Sequence, residues 1–134
     1  MNPAKERAEC FRDLLLYLAE VVPAAKPGKL NLRQIAQTER FKKYPIDLIF
    51  AVAKEMHTRR LFKVAPPLHK SVSSDALPPK YYHFVSMTEK GLDAATKLKD
   101  DTAWHAVLEK ASSIAQLALP EFLGALFDFA LRFL

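Results

Sequence analysis

The amino-acid sequence predicts a small α+β protein that is mostly α-helical and contains one two-stranded antiparallel β-sheet. Apolar residues recur at three- and four-residue spacing over several long segments, which is the periodicity of a helix with one buried face. Two short segments are instead rich in aromatic and β-branched residues, which favour strands. The chain has 134 residues and is 50% apolar, so it can bury one core.

Three helices are predicted in the first half of the chain. The first spans residues 4–22. Its apolar stripe consists of Phe11, Leu14, Leu15, Leu18 and Val22. Asn31 is a suitable N-cap for a short second helix, with Gln34 in the capping-box position. A third helix is predicted to begin near Tyr44, where Pro45 suits the first helical position.

The two predicted strands span residues 61–65 and 81–87. They can pair antiparallel around a loop at residues 68–80, which contains three serines and a pair of prolines. Thr88 then caps the next helix. The sequence therefore predicts a small hairpin that follows three helices and precedes a fourth.

This order of elements resembles that of a winged helix, most closely over residues 30–99. The pentapeptide Leu32-Arg33-Gln34-Ile35-Ala36 is similar to the second helix of such domains. Residues 48–61 are similar to the third helix running into the first wing strand. The segment Thr88-Glu89-Lys90-Gly91 resembles the helix start that follows the second wing strand.

The segment from Lys99 to Trp104, with an apolar C-terminal helix beyond it, is similar to a prophage-associated winged-helix family of uncharacterised function. That resemblance implies a bacterial or phage source and supplies no activity. We expect a winged-helix domain at residues 1–100 and a C-terminal helical extension at residues 101–134.

The net charge of +5 is concentrated in one part of the chain. Residues 26–63 carry ten basic and three acidic residues, whereas residues 71–134 carry six basic and eight acidic residues. Basic residues around a helix-turn-helix are typical of phosphate binding. We therefore expect a nonenzymatic protein that binds double-stranded DNA as a regulator or accessory factor. The predicted nucleic-acid-binding residues are Arg33, Arg40, Lys42, Lys43, Tyr44 and Lys54.

Two carboxylates count against this prediction. Asp47 and Glu55 lie on the third helix opposite its apolar stripe, where they would meet phosphates or the acceptor-rich edges of bases. Arg59 and Arg60 stand at the end of that helix, where the helix dipole alone explains them. The alternative is a winged-helix module or adaptor that binds another protein and not DNA.

The C-terminal segment is the most apolar part of the chain. A helix is predicted at about residues 102–117, and a last helix begins at Pro120. The polar residues of the last helix form one narrow wedge, so its wide apolar arc is buried on several sides or faces a partner. We expect a homo-oligomer, with a dimer favoured. The predicted interface residues are Phe122, Leu123, Leu126, Phe127, Phe129 and Phe133.

Two alternatives stand beside self-association of the last helix. The first is complete burial within one subunit. The second is insertion at a membrane surface, which is disfavoured because Arg132 is the only basic residue of the polar wedge.

Several residue types argue against catalysis and cofactors. The three glycines lie too far apart for a phosphate-binding loop, and Cys10 alone can form neither an internal disulfide nor a cysteine-rich zinc site. The four histidines lack the spacing of metal ligands. We expect no enzyme activity, no cofactor and no metal. Neither a secretory signal nor a membrane-spanning run is visible, so a cytoplasmic location is expected.

Overall fold

The computed structural model describes residues 3–66 and 76–132. This part of the chain is mostly helical and includes one small antiparallel sheet, which confirms the predicted α+β class. The helices are α1 (Pro3–Val21), α2 (Leu32–Ala36), α3 (Ile46–Thr58), α4 (Glu89–Leu98), α5 (Asp101–Ser113) and α6 (Leu119–Arg132). The strands are β1 (Leu30–Asn31), β2 (Phe62–Val64) and β3 (His83–Met87), and a 3₁₀ turn at Pro79–Tyr81 precedes β3. Most of the predicted loop at residues 68–80 lies outside the described residues.

The sheet has three strands in the order β1-β3-β2, so the predicted number of two is wrong. The predicted pairing of the two longer strands is confirmed, with Phe62 opposite Met87. The additional strand β1 pairs Leu30 with Phe84 on the other edge of β3. With only two residues, β1 has no periodicity of its own. It is a strand because β3 supplies its hydrogen-bonding partners.

Side-chain caps fix the starts of three helices. Asn31 Oδ1 accepts a hydrogen bond of 2.9 Å from the backbone N–H of Gln34, and Thr88 Oγ1 accepts one of 3.0 Å from Gly91. Both confirm predicted N-caps. Asp100 caps α5 in the same way. Each cap satisfies a backbone donor that the first helical turn leaves without a partner.

One continuous hydrophobic core holds the helices and the sheet together. Helix α1 packs against α3, α4 and α5, and the ring of Phe11 lies 4.2 Å from that of Phe127 on α6. The core therefore includes residues from both sides of position 100. The division into two units at that position stays a prediction.

Two arginines of α1 hold the C-terminal helices in place. Arg12 donates a hydrogen bond of 2.9 Å to the carbonyl of Leu98 at the end of α4, and its guanidinium lies 4.7 Å from the ring of Trp104. Arg7 donates to the carbonyl of Leu117 just before α6 and lies over the ring of Phe122. Both guanidiniums thus satisfy carbonyls near helix ends and pack on aromatic faces.

The first turn of α4 packs directly on the turn between α3 and β2. The backbone N–H of Thr88 donates to the carbonyl of Leu61 at 3.1 Å, and the Thr88 hydroxyl donates to the carbonyl of Arg60 at 2.6 Å. A Cβ atom on Gly91 would overlap the carbonyl oxygen of Leu61 and lie 2.9 Å from its carbonyl carbon. A glycine is therefore required here by a backbone contact.

We predict that Gly91→Ala lowers the free energy of unfolding by at least about 2 kcal/mol, because the overlap is with backbone and forces α4 away from the turn. Urea unfolding measures this change. Gly124→Ala is the matched control, since a Cβ at Gly124 in α6 meets its nearest neighbour at an ordinary 3.7 Å. The control should gain about 0.5–1 kcal/mol from reduced backbone entropy in the unfolded chain. Equal changes in stability for the two substitutions would contradict the conclusion that the contact with the Leu61 carbonyl requires glycine at position 91.

Candidate nucleic-acid interface

The outward face of α3 is centred on Lys54. Ile46, Asp47, Lys54 and Thr58 are exposed along it, whereas Leu48 and the rest of the apolar stripe are buried on the opposite side. No salt bridge holds the Lys54 ammonium within the described ranges. The cation at the middle of this face is therefore available to an anionic ligand.

A groove of about 330 Å³ runs along one side of this face, between α3, α2 and the 3₁₀ turn. Its lining residues are Arg33, Gln37, Ile46, Phe50, Lys80 and Tyr81. The side chains of Arg33 and Lys80 are exposed, and no salt bridge involves either of them in the part of the chain that the structure describes. Ile46 and Tyr81 each expose 50% of their surface. We call this the α2–α3 groove.

The sequence predicts a loop at Lys80 and a strand at Tyr81 and does not indicate either residue as part of a site, whereas both lie in the 3₁₀ turn. The sequence signal for this turn is the Pro78-Pro79 pair, because the ring of a proline fixes φ at a value that suits the start of a turn. The 3₁₀ turn at Pro79–Tyr81 contacts both α2 and α3. That contact brings a lysine and a tyrosine to the edge of the α2–α3 groove.

Helix α6 borders the other side of the α3 face. A second groove, of about 300 Å³, lies between the two helices. It is lined by Ala51, Lys54, Glu55, Thr58, Leu119, Pro120 and Leu123. The approach to α3 is therefore flanked by α6 on one side and by the α2–α3 groove on the other.

Glu55 does not face outward as the sequence suggested. Its carboxylate lies 3.8 Å from the Nε atom of Arg59, and its side chain is only 20% exposed. Arg59 in turn bonds to the carboxylate of Asp128 and donates to the carbonyl of Gly124 at 3.1 Å. The helix dipole alone thus does not account for Arg59, which joins α3 to α6. Asp47 is the carboxylate that stays exposed near the outward face.

The basic residues of the connector between α2 and α3 belong to another part of the surface. Arg40 lines a groove between α1 and α4, and its guanidinium lies 5.2 Å from the Tyr17 ring. Lys42 pairs with Glu39 at 3.2 Å, and Lys43 pairs with Asp13 of α1 at 3.7 Å. The six predicted DNA-binding residues are therefore split, with Arg33 and Lys54 at α3 and the connector residues towards α1.

Tyr44 is a core residue and not a phosphate donor. Only 6% of its surface is exposed, and its hydroxyl donates a hydrogen bond to the Asp13 carboxylate. Burial, together with this hydrogen bond, raises the pKa of the phenol far above its ordinary value of 10.0. The hydroxyl is protonated and engaged within the subunit, so the prediction that it contacts DNA is corrected.

The predicted oligomer interface on the last helix is also corrected for most of its residues. Phe122, Leu123, Leu126 and Phe127 are at most 2% exposed and pack into the core of their own subunit. Phe129 is half-buried, with Lys110 over its ring, and Phe133 lies outside the described residues. Neighbouring helices cover the wide apolar arc within one subunit. Self-association itself stays a prediction, but these four buried residues cannot form its interface.

The potential metal ligands and the thiol of the described residues can be assessed from their positions. No group of three or more potential metal ligands occurs within residues 3–66 and 76–132. Cys10 is fully buried, and burial raises the pKa of its thiol to about 12, so the reactive thiolate is disfavoured. Among the described helices, none combines the length and the apolar character that crossing a membrane requires.

Comparisons with protein families, curated proteins and solved structures gave no match to this chain. The resemblance to the prophage-associated winged-helix family therefore stays a prediction.

We predict that Tyr44→Phe lowers the free energy of unfolding by about 1 kcal/mol, because Asp13 loses the hydroxyl donor. Urea unfolding and duplex DNA titration should be run on the same protein. The substitution should leave any DNA affinity unchanged. A loss of DNA affinity at unchanged stability would show that Tyr44 contacts DNA and would contradict its assignment to the core.

The contact between Arg59 and Asp128 predicts a dependence of stability on pH. The hydrogen bond from Arg59 holds the pKa of Asp128 below its ordinary value of 3.8. A carboxylate with a lowered folded-state pKa stabilises the fold above its unfolded-state value, and this contribution disappears as the pH falls through the folded-state value. Asp128→Asn should therefore lower Tm at neutral pH, and the difference from the wild type should shrink below about pH 4.

Thermal melts of the wild type and Asp128→Asn between neutral and strongly acid pH measure this effect. Asp93→Asn is the control, since Asp93 is exposed on α4 and has no salt bridge in the described ranges. A Tm difference for Asp128→Asn that persists in acid would rule out an ionic origin.

Proposed function

We propose that this protein binds double-stranded DNA through the outward face of α3 and the adjoining α2–α3 groove, as a nonenzymatic regulator or accessory factor. The observation that carries the proposal is the placement of three cations along α3 without salt-bridge partners among the described residues. Arg33 and Lys80 line the α2–α3 groove, and Lys54 lines the groove on the α6 side. Cations of this kind attract phosphates and release the counterions condensed on them.

The arrangement of the elements supports a winged helix. Helices α1, α2 and α3 precede the hairpin of β2 and β3, and β1, which lies between α1 and α2, completes the antiparallel sheet. In winged-helix proteins such a hairpin is the wing, and α3 enters the major groove as in other helix-turn-helix proteins. Helix α2 and the 3₁₀ turn that precedes β3 both line the groove that contains Arg33 and Lys80.

The contact with α6 supports the proposal as well. Arg59 pairs with Glu55, whose side chain is only 20% exposed, so Asp47 is the exposed carboxylate of α3. Asp47 lies in the first turn of α3, where the helix dipole stabilises it. Three cations without salt bridges then stand against one exposed carboxylate, Asp47, and one that Arg59 pairs, Glu55, which favours a polyanionic ligand.

A protein-binding module without DNA is the second candidate function. The exposed apolar side chains of Ile46 and Tyr81 favour it, because aromatic and apolar groups beside an arginine are typical of protein interfaces. A DNA titration distinguishes the two functions, since a module of this second kind would not respond to duplex DNA at low salt.

We predict that the double variant Arg33→Ala/Lys54→Ala binds mixed-sequence duplex DNA at least roughly tenfold more weakly than the wild type at low salt. The slope of log affinity against log salt should fall by about two, because about one counterion is released for each phosphate contact. Fluorescence anisotropy across a salt series measures both quantities.

Lys42→Ala/Lys43→Ala is the matched control, because it removes the same charge from the connector that faces α1. It should change the affinity and the salt slope much less than Arg33→Ala/Lys54→Ala does. Equal losses in the two double variants would show a diffuse electrostatic attraction instead of a site at α3. Absence of binding by the wild type at low salt would refute the DNA-binding function.

A further inference from the structure

Two of the most exposed large apolar side chains line the same groove. Among the described residues, Ile46 and Tyr81 expose 50% of their surface each and Leu92 exposes 40%. A single exposed apolar residue is ordinary on a protein surface. Ile46 and Tyr81, however, share the α2–α3 groove with two cations, Arg33 and Lys80. The groove thus offers apolar contact between points of positive charge.

Ile46 occupies a particular place in this groove, because it is the first residue of α3. The N-terminal residues of a recognition helix are the ones that reach base edges in the major groove. Ile46 is exposed there, while Leu48 and Ile49 on the other side of the helix are buried. Its β-branched apolar side chain can donate and accept no hydrogen bonds, so it cannot read the polar pattern of the bases.

The charges beside Ile46 favour nucleic acid over another protein as the occupant. Arg33 stands in the short helix α2 and Lys80 in the 3₁₀ turn, both exposed at the edges of the groove. Both cations are suited to bind phosphate oxygens of a duplex. Between the phosphates, the apolar group that base edges present in the major groove is the C5-methyl of thymine.

We infer that Ile46 contacts the C5-methyl group of thymine, so that the protein favours duplexes containing A·T pairs. The amide of Gln37 lines the same groove, and a glutamine amide can pair with N6 and N7 of adenine. The inference rests on the proposed DNA-binding function and adds a preference to it. It also assigns a role to an exposed isoleucine that folding does not explain.

The test compares two duplexes that differ only in this methyl group. One is an alternating A·T duplex, and the other has deoxyuridine in place of every thymidine. The wild type should bind the methylated duplex more tightly, by roughly fourfold for each methyl group that is buried. Fluorescence anisotropy at one fixed salt concentration measures both affinities.

Variants separate contact with the methyl group from an effect of the methyl group on DNA shape. Ile46→Ala should bind the two duplexes equally, whereas a shape effect would persist in this variant and would overturn the inference. Leu92→Ala is the matched control, because Leu92 is an exposed apolar residue in the groove between α1 and α4. It should keep the full preference. Thermal melts of both variants establish that they are folded.

The outcomes for the wild type distinguish the inference from the function on which it rests. Equal binding of the two duplexes overturns thymine recognition and leaves the DNA-binding function in place. Binding to neither duplex at low salt overturns the DNA-binding function itself. A preference for the thymine duplex that Ile46→Ala abolishes and Leu92→Ala retains supports both.

Discussion

The close approach of Gly91 to the carbonyl of Leu61 is the constraint on which the placement of the α3 face depends. Since α4 begins in direct contact with the turn after α3, the end of α3, the start of β2 and the end of β3 are fixed together. The Thr88 hydroxyl adds to this contact, because it caps α4 and bonds to the carbonyl of Arg60. Arg60 adopts a left-handed φ of 61°, which turns the chain from the helix into the sheet. The Thr-x-x-Gly sequence is thus the local signature of a long-range backbone contact.

Helix α6 affects the charge of the outward face of α3, although it contributes few residues to that face. It enters the core beside α1 through Phe127, and this position places Asp128 and the carbonyl of Gly124 beside Arg59. Arg59 then lies between carboxylates of α3 and α6, and Glu55, which is 20% exposed, has a cationic partner. The apolar character of the C-terminal segment, which suggested a partner, is used within the subunit. Its consequence for function is electrostatic, because α3 keeps a more basic outward face than its sequence alone indicates.

Local patterns in the sequence were sufficient for most of the fold. Apolar periodicity placed α1 at residues 4–22 against the observed Pro3–Val21, and the side chains of Asn31 and Thr88 marked two helix starts. The errors arose where the answer depends on residues far apart in the chain. Strand β1 exists through its pairing with β3. The burial of α6 depends on how many other helices pack around its wide apolar face. The site was predicted in part for the same reason, since Lys43 meets Asp13 only once α1 packs beside the connector.

The charged residues of the basic region can be divided by whether folding accounts for them. The pairs between Lys42 and Glu39 and between Lys43 and Asp13 are exposed salt bridges, which contribute little to stability but place these lysines beside carboxylates. Asp47 suits the first turn of a helix, and Arg59 has partners on α6. Arg33, Lys54 and Lys80 form no salt bridge within the described structure, although Lys80 lies 5.1 Å from the ring of Tyr81, and they line the two grooves that border α3. A polyanionic ligand would supply anionic partners for these cations, and for this reason these three residues, more than the net charge of the chain, favour DNA.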